Sequence, residues 1–94
     1  MMANERFDSV WDAISDTPQE AENMKLRSSL MMALKDHIDH EGLSQSQAAR
    51  VFGVTQPRVS DLVRGKIQLF GLDSLVNMAV AAGLHIEMTV ARAA

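Results

Sequence analysis

Gln45, Gln56, Arg58, Ser60, Asp61, Arg64 and Lys66 crowd into the middle of this chain. Their chemistry is recognition rather than bond making. A carboxamide donates to and accepts from the edge of a planar heterocycle at once, and a guanidinium forks onto paired oxygens. Ser60 adds a hydroxyl and Lys66 a point charge. Asp61 is the exception, an acceptor among donors. From Gly42 to Leu72 the net charge is +3, from Arg50, Arg58, Arg64 and Lys66 against Asp61. Residues 1–41 carry net −5 and residues 73–94 net −1. A basic centre between acidic ends predicts a local anion-binding face.

Other chemistries find little footing. His37-Ile38-Asp39-His40-Glu41 offers metal ligands at helical spacing, but a closed zinc site needs a further ordered ligand. The run reads as a polar helix face whose histidines complement the C-terminal dipole. Cysteine is absent, which removes disulfides, thiolate metal sites and a cysteine nucleophile. No nucleophile–base pair, phosphate loop or carboxylate dyad stands in a recognisable context. We therefore expect no catalytic residue, no metal and no cofactor, and do not read the chain as an enzyme.

The elements around the basic centre are helical. Thr17-Pro18-Gln19-Glu20 predicts a helix start, with Thr17 capping, Pro18 in the first turn and Glu20 completing a capping box. Leu26, Leu30, Ala33, Leu34 and Ile38 supply its apolar stripe, and Gly42 stops it. Ser44 caps a short helix, with Gln47 three residues on and Ala48, Val51 and Phe52 on its apolar side. Gly53 breaks that helix. Thr55 caps the next one, Pro57 sits in its first turn, Val59, Leu62 and Val63 face inward, and Gly65 closes it. Lys66 to Gly71 is a connector, and Leu72 to Ala82 is a helix ended by Gly83. Beyond it the period changes from 3.6 to 2. Leu84, Ile86, Met88 and Val90 alternate with His85, Glu87 and Thr89, which predicts a half-buried strand.

Two short helices around Gly53-Val54, flanked by longer ones, form a helix-turn-helix pattern. Ala48 and Ala49 are small enough for close approach, and Val54 plugs the corner. Gln56, Pro57, Ser60, Asp61 and Arg64 are left on the outer face of the second helix, which fits a DNA major groove. Leu43-Ser44-Gln45-Ser46-Gln47-Ala48-Ala49, then Gly53-Val54-Thr55-Gln56-Pro57-Arg58-Val59-Ser60-Asp61-Leu62, then Gly65-Lys66, resembles the Xre/Cro-type helix-turn-helix of lambdoid phage repressors. The resemblance runs from Leu26 through Ala82. Within that family the sequence is most similar to HigA-like antitoxins of type II toxin–antitoxin pairs, which carry an N-terminal extension, the run TQPRVSDLVRGK and a C-terminal strand.

The resemblance implies a DNA-binding set of Gln45, Thr55, Gln56, Pro57, Arg58, Ser60, Asp61, Arg64 and Lys66. Gln45 would bond a phosphate or brace Gln56. Gln56 would reach a base, adenine being the best match for its amide. Arg58 and Arg64 would contact phosphates or, for Arg64, a guanine. Ser60 would bond the DNA backbone, and Lys66 would supply a phosphate charge. Pro57 departs from many repressors, which are polar there, and could meet a thymine methyl. Asp61 would accept from cytosine, orient Arg58 or Arg64, or repel phosphate.

The expected fold is all-α, a lambda-repressor-like bundle of about five helices with a C-terminal β-strand for dimerisation. Residues 1–24 are read as a helical extension, 25–83 as the DNA-binding domain and 84–94 as strand and tail. In the extension Phe7, Val10, Trp11 and Ile14 share one helical face, and Asp8, Asp12 and Asp16 another. Such an arm either completes the domain's own core or covers a basic partner, and the family resemblance implies a RelE-like or HigB-like toxin. Leu84, Ile86, Met88 and Val90 are expected to pair a homodimer about a two-fold axis, on an inverted-repeat operator in double-stranded DNA. The alternative is a stand-alone Xre-family repressor without a toxin. At 94 residues and 47% apolar the chain suits one small domain. Its longest uncharged stretch, Ser74 to Ile86, is too short for a bilayer span. The start, Met-Met-Ala-Asn-Glu-Arg-Phe-Asp, does not read as a signal peptide, so a cytoplasmic protein without a membrane partner is expected.

Overall fold

The computed structural model describes residues 16–93. The expected helix carrying Phe7, Val10, Trp11 and Ile14 lies outside the described residues. Four α-helices follow one another: α1 Pro18–Glu41, α2 Gln45–Phe52, α3 Gln56–Val63 and α4 Leu72–Ala81, with a single 3-10 turn, Ile67–Leu69, between the last two.

α1 begins as the sequence predicts, with Thr17 Oγ1 accepting from the Glu20 N–H at 3.0 Å. The Glu20 carboxylate turns one residue further back than a capping box requires and accepts from the Asp16 N–H. Its buried stripe is Ala21, Met31, Leu34 and Ile38. Leu30 is only half-buried, and Leu26 and Ala33 of the expected stripe are exposed. They share one side of the helix, where α4 and the C-terminal tail leave an apolar groove lined by Leu26, Leu30, Val76, Ile86 and Met88.

The core is one cluster. Leu34 of α1, Ala48 of α2, Val59 and Leu62 of α3, Phe70 and Leu75 are each fully buried. Phe52 and Met78 join them at the α2 and α4 ends. No polar or charged side chain is buried with them among the described residues. The small size of Ala48 lets α2 and α3 meet closely, because any larger side chain there would hold the helices apart.

The C-terminal strand is not present. Among the described residues no strand forms, and residues 84–93 run without regular hydrogen bonding. Leu84 and Ile86 pack against the core, while Met88 and Val90 are 74% and 86% exposed. The period of two is therefore real as one-sided packing up to Ile86 and fails beyond it. A strand needs a neighbouring strand to accept and donate backbone bonds, and a helical bundle offers none. Alternation reports an extended backbone with one face on a core, not a ladder.

Candidate nucleic-acid interface

α2 and α3 are joined by Gly53, Val54 and Thr55. Gly53 sits at φ 70°, ψ 33°, the left-handed region that side chains disfavour. The Val54 N–H then folds back onto the Ala49 carbonyl at 2.9 Å, closing the helix end. One residue later Thr55 is extended and caps α3, its Oγ1 accepting from the Arg58 N–H. At the other end of the motif Ser44 and Gln47 form a reciprocal capping box, at 3.1 Å and 2.9 Å. These caps fix where both short helices start, and so which residues their first turns present.

The residues expected at DNA divide into two groups. Gln45 opens α2, Gln56 opens α3, and Pro57 and Arg64 lie in the first turn and just past the last; all four are exposed. Among the described residues nothing hydrogen-bonds the side chains of Gln45, Gln56, Ser60 or Arg64. The polar tips of this face are uncommitted. Thr55 is engaged by its capping bond through oxygen, which leaves its hydroxyl proton to donate outward.

Three more residues, Asp61, Lys66 and Arg58, are engaged within the fold. Lys66 Nζ lies 3.6 Å from a carboxylate oxygen of Asp61. The Lys66 N–H also donates to the Asp61 carbonyl at 3.1 Å. Asp61 thus holds Lys66, rather than Arg58 or Arg64. Arg58 is half-buried and turns toward the connector. Its guanidinium carbon stands 3.9 Å from the centre of the Phe70 ring. One nitrogen donates to the Leu69 carbonyl and another to Ser74 Oγ.

Arg27, Phe70 and Ser74 escaped the sequence reading. Arg27 donates to the Phe70 carbonyl at 3.4 Å across 43 positions. No local pattern signals a bond of that span. Nor did periodicity single out Phe70 in the connector. Its place directly after a 3-10 turn makes it the plug beneath α3. His37 is packed against the Phe52 ring at 6.2 Å, and among the described residues no three histidine or carboxylate side chains group to hold a metal.

A helix-turn-helix domain family model matches residues 13–91. The chain belongs to this helix-turn-helix domain family. The match spans the α2–turn–α3 unit with α1 and α4 on either side of it, so the helix-turn-helix domain is the whole described fold. Such a domain is a DNA-binding module of the kind used in regulators. A search of curated proteins finds no match. No helix of the domain is long and apolar enough to cross a membrane, among the described residues.

Proposed function

We propose that this helix-turn-helix domain reads a specific DNA sequence as a dimer on an inverted repeat and represses transcription there. The observation that carries the reading is the uncommitted polar face of α3, with Gln56 at its start and Arg64 at its end. Gln56 reads a base through its amide, and Arg64 takes a guanine or a phosphate. Gln45 and Ser60 bond the DNA backbone, Thr55 donates its hydroxyl to it, and Pro57 meets a thymine methyl. Lys66 adds a phosphate charge tempered by Asp61. For the dimer, exposed Met88 and Val90, close to half-buried Ile86 and Leu84, offer apolar side chains to a second copy. This contact needs side-chain burial only.

The same chain acts as an antitoxin in this proposal. Support comes from the N-terminal sequence, where Phe7, Val10, Trp11 and Ile14 alternate with Asp8, Asp12 and Asp16 at helical spacing. An apolar stripe edged by carboxylates complements a small basic toxin in both shape and charge. The resemblance to HigA-like antitoxins points the same way.

The deciding experiment for DNA is selection of duplexes from a random-sequence pool by the full-length protein. Enrichment of a two-fold symmetric site is expected. A pool that stays random overturns the reading. For the antitoxin role, a neighbouring gene for a small basic protein is expected, and its product is co-expressed with full-length chain and with a chain lacking residues 1–15. Rescue of growth by the first and not the second is expected, and equal rescue returns the arm to a packing role.

A further inference from the structure

We propose that Arg58 is a positioning residue, a strut that sets the orientation of the recognition helix rather than a ligand of DNA. The proposal rests on the DNA-binding reading of α3 and deepens it.

Arg58 is the third residue of α3, where a cation is disfavoured by the positive end of the helix dipole. The fold draws its charge aside. The guanidinium lies flat enough on the fully buried Phe70 ring to stand 3.9 Å from its centre, the geometry of a cation–π contact. Its two terminal nitrogens donate to the Leu69 carbonyl and to Ser74 Oγ in the first turn of α4. One side chain therefore ties the first turn of α3 to the 3-10 turn and to α4. A second arginine reaches the same turn. Arg27 of α1 donates to the Phe70 carbonyl, so two successive carbonyls accept from arginines on different helices.

α3 has only eight residues. Val59 and Leu62 anchor its inner face and the Thr55 cap fixes where it begins, and a longer side chain ties its first turn to the 3-10 turn and α4. That side chain is Arg58, two residues from Gln56 and next to Pro57. Lysine cannot replace it, because a point charge has neither the planar fork nor the stacking face. Two of the five Arg58 N–H groups are engaged by Leu69 and Ser74 while the guanidinium face lies on Phe70, so a phosphate that drew the guanidinium away would break these contacts.

The test uses the full-length protein with Arg58→Lys, Arg58→Met, Phe70→Leu and the Arg58→Met/Phe70→Leu double variant. The probes are a duplex enriched by the wild type and poly(dI-dC). A strut predicts that Arg58→Lys and Arg58→Met each lower the ratio of specific to non-specific affinity about tenfold, the size of one lost base contact. The slope of log affinity against log salt stays at the wild-type value, because no phosphate partner is lost. Urea unfolding adds an arm independent of DNA. Arg58→Met should lower the midpoint in the wild type and have little further effect once Phe70 is leucine. A slope shallower by about 0.9 in Arg58→Met, restored by Arg58→Lys, is the mark of a phosphate ligand and overturns the proposal. So does a loss of stability with an unchanged specificity ratio. Additive urea effects overturn the strut alone, whereas failure of the wild type to enrich any duplex overturns the DNA-binding reading and this refinement of it.

Discussion

Asp61 holds Lys66 at two points: its carboxylate lies 3.6 Å from Nζ, and its carbonyl accepts the Lys66 N–H at 3.1 Å. The pair sits half-exposed at the end of the recognition helix. Asp61 is the one acid of the basic centre, and it offsets the one lysine there. An exposed pair of this kind contributes little to stability, about 0–1 kcal/mol. In the proposed DNA-binding reading its effect falls on DNA, where a paired lysine is less available to phosphate.

Asp61→Asn should therefore raise affinity for every duplex alike, by up to about fivefold, the equivalent of one surface ion pair. Its salt dependence should steepen by part of the roughly 0.9 that one phosphate contact carries, because Lys66 then meets phosphate more fully. Lys66→Ala should do the reverse. Gel-shift titrations over a salt series on an unrelated duplex measure both. An Asp61→Asn protein with wild-type slope would show that Lys66 faces away from the DNA.

Gln56→Ala and Arg64→Ala should each cost about 1–3 kcal/mol on the enriched duplex and relax preference at one base position. Neither should disturb the fold, since nothing among the described residues hydrogen-bonds either side chain. Repeating the selection with each variant reads out the relaxed position. If the double variant binds the enriched duplex as tightly as the wild type, α3 is not the reading helix.

Gly53→Ala isolates backbone strain. A Cβ at Gly53 would meet nothing within 4 Å, so only the φ of +70° is at stake. The expected loss is about 1–2 kcal/mol in urea unfolding. Gly53→Asn should lose less, because asparagine tolerates the left-handed region. Equal losses for the two variants would mean that the turn rearranges rather than strains.

Ala48→Leu should damage the motif from inside. Ala48 is fully buried in the same cluster as Val59 and Leu62. Added methylenes there cost about 1–3 kcal/mol and push α2 and α3 apart. Specific DNA affinity should fall even at temperatures where circular dichroism shows the chain folded. Preserved affinity in a folded Ala48→Leu protein would count against a fixed α2–α3 geometry as the basis of recognition.

Met88→Glu with Val90→Glu tests the dimer. Both side chains are largely exposed, so the substitutions should leave the urea midpoint of a monomer unchanged. If these residues meet a second copy, sedimentation at micromolar concentration should shift from dimer to monomer. An unshifted dimer places the contact elsewhere.

Local chemistry determined most of what positions this face. Thr17, Ser44 and Thr55 are caps because a hydroxyl beside the first turn can satisfy free N–H groups, and that is written in three or four consecutive residues. Gly42, Gly53 and Gly65 end helices for an equally local reason, and Ala48, Phe52, Val59 and Leu62 are core by period alone. Exposed Gln56 and Arg64 follow as the remainder of the same helix. What needed the tertiary structure was every relationship across the fold. The family resemblance implies a phosphate contact for Arg58, and in the fold its guanidinium lies on Phe70 and donates to Leu69 and Ser74, which only folding brings near. Leu26 and Ala33 fit the stripe of α1 by spacing, yet a helix buries what its neighbours cover, and the core cluster takes in Met31, Leu34 and Ile38 instead. The alternation from Leu84 to Val90 is matched by packing on the core only at Leu84 and Ile86, and no strand forms among the described residues. Whether such a chain becomes a strand depends on a hydrogen-bonding neighbour, and no sequence pattern within one segment can supply that.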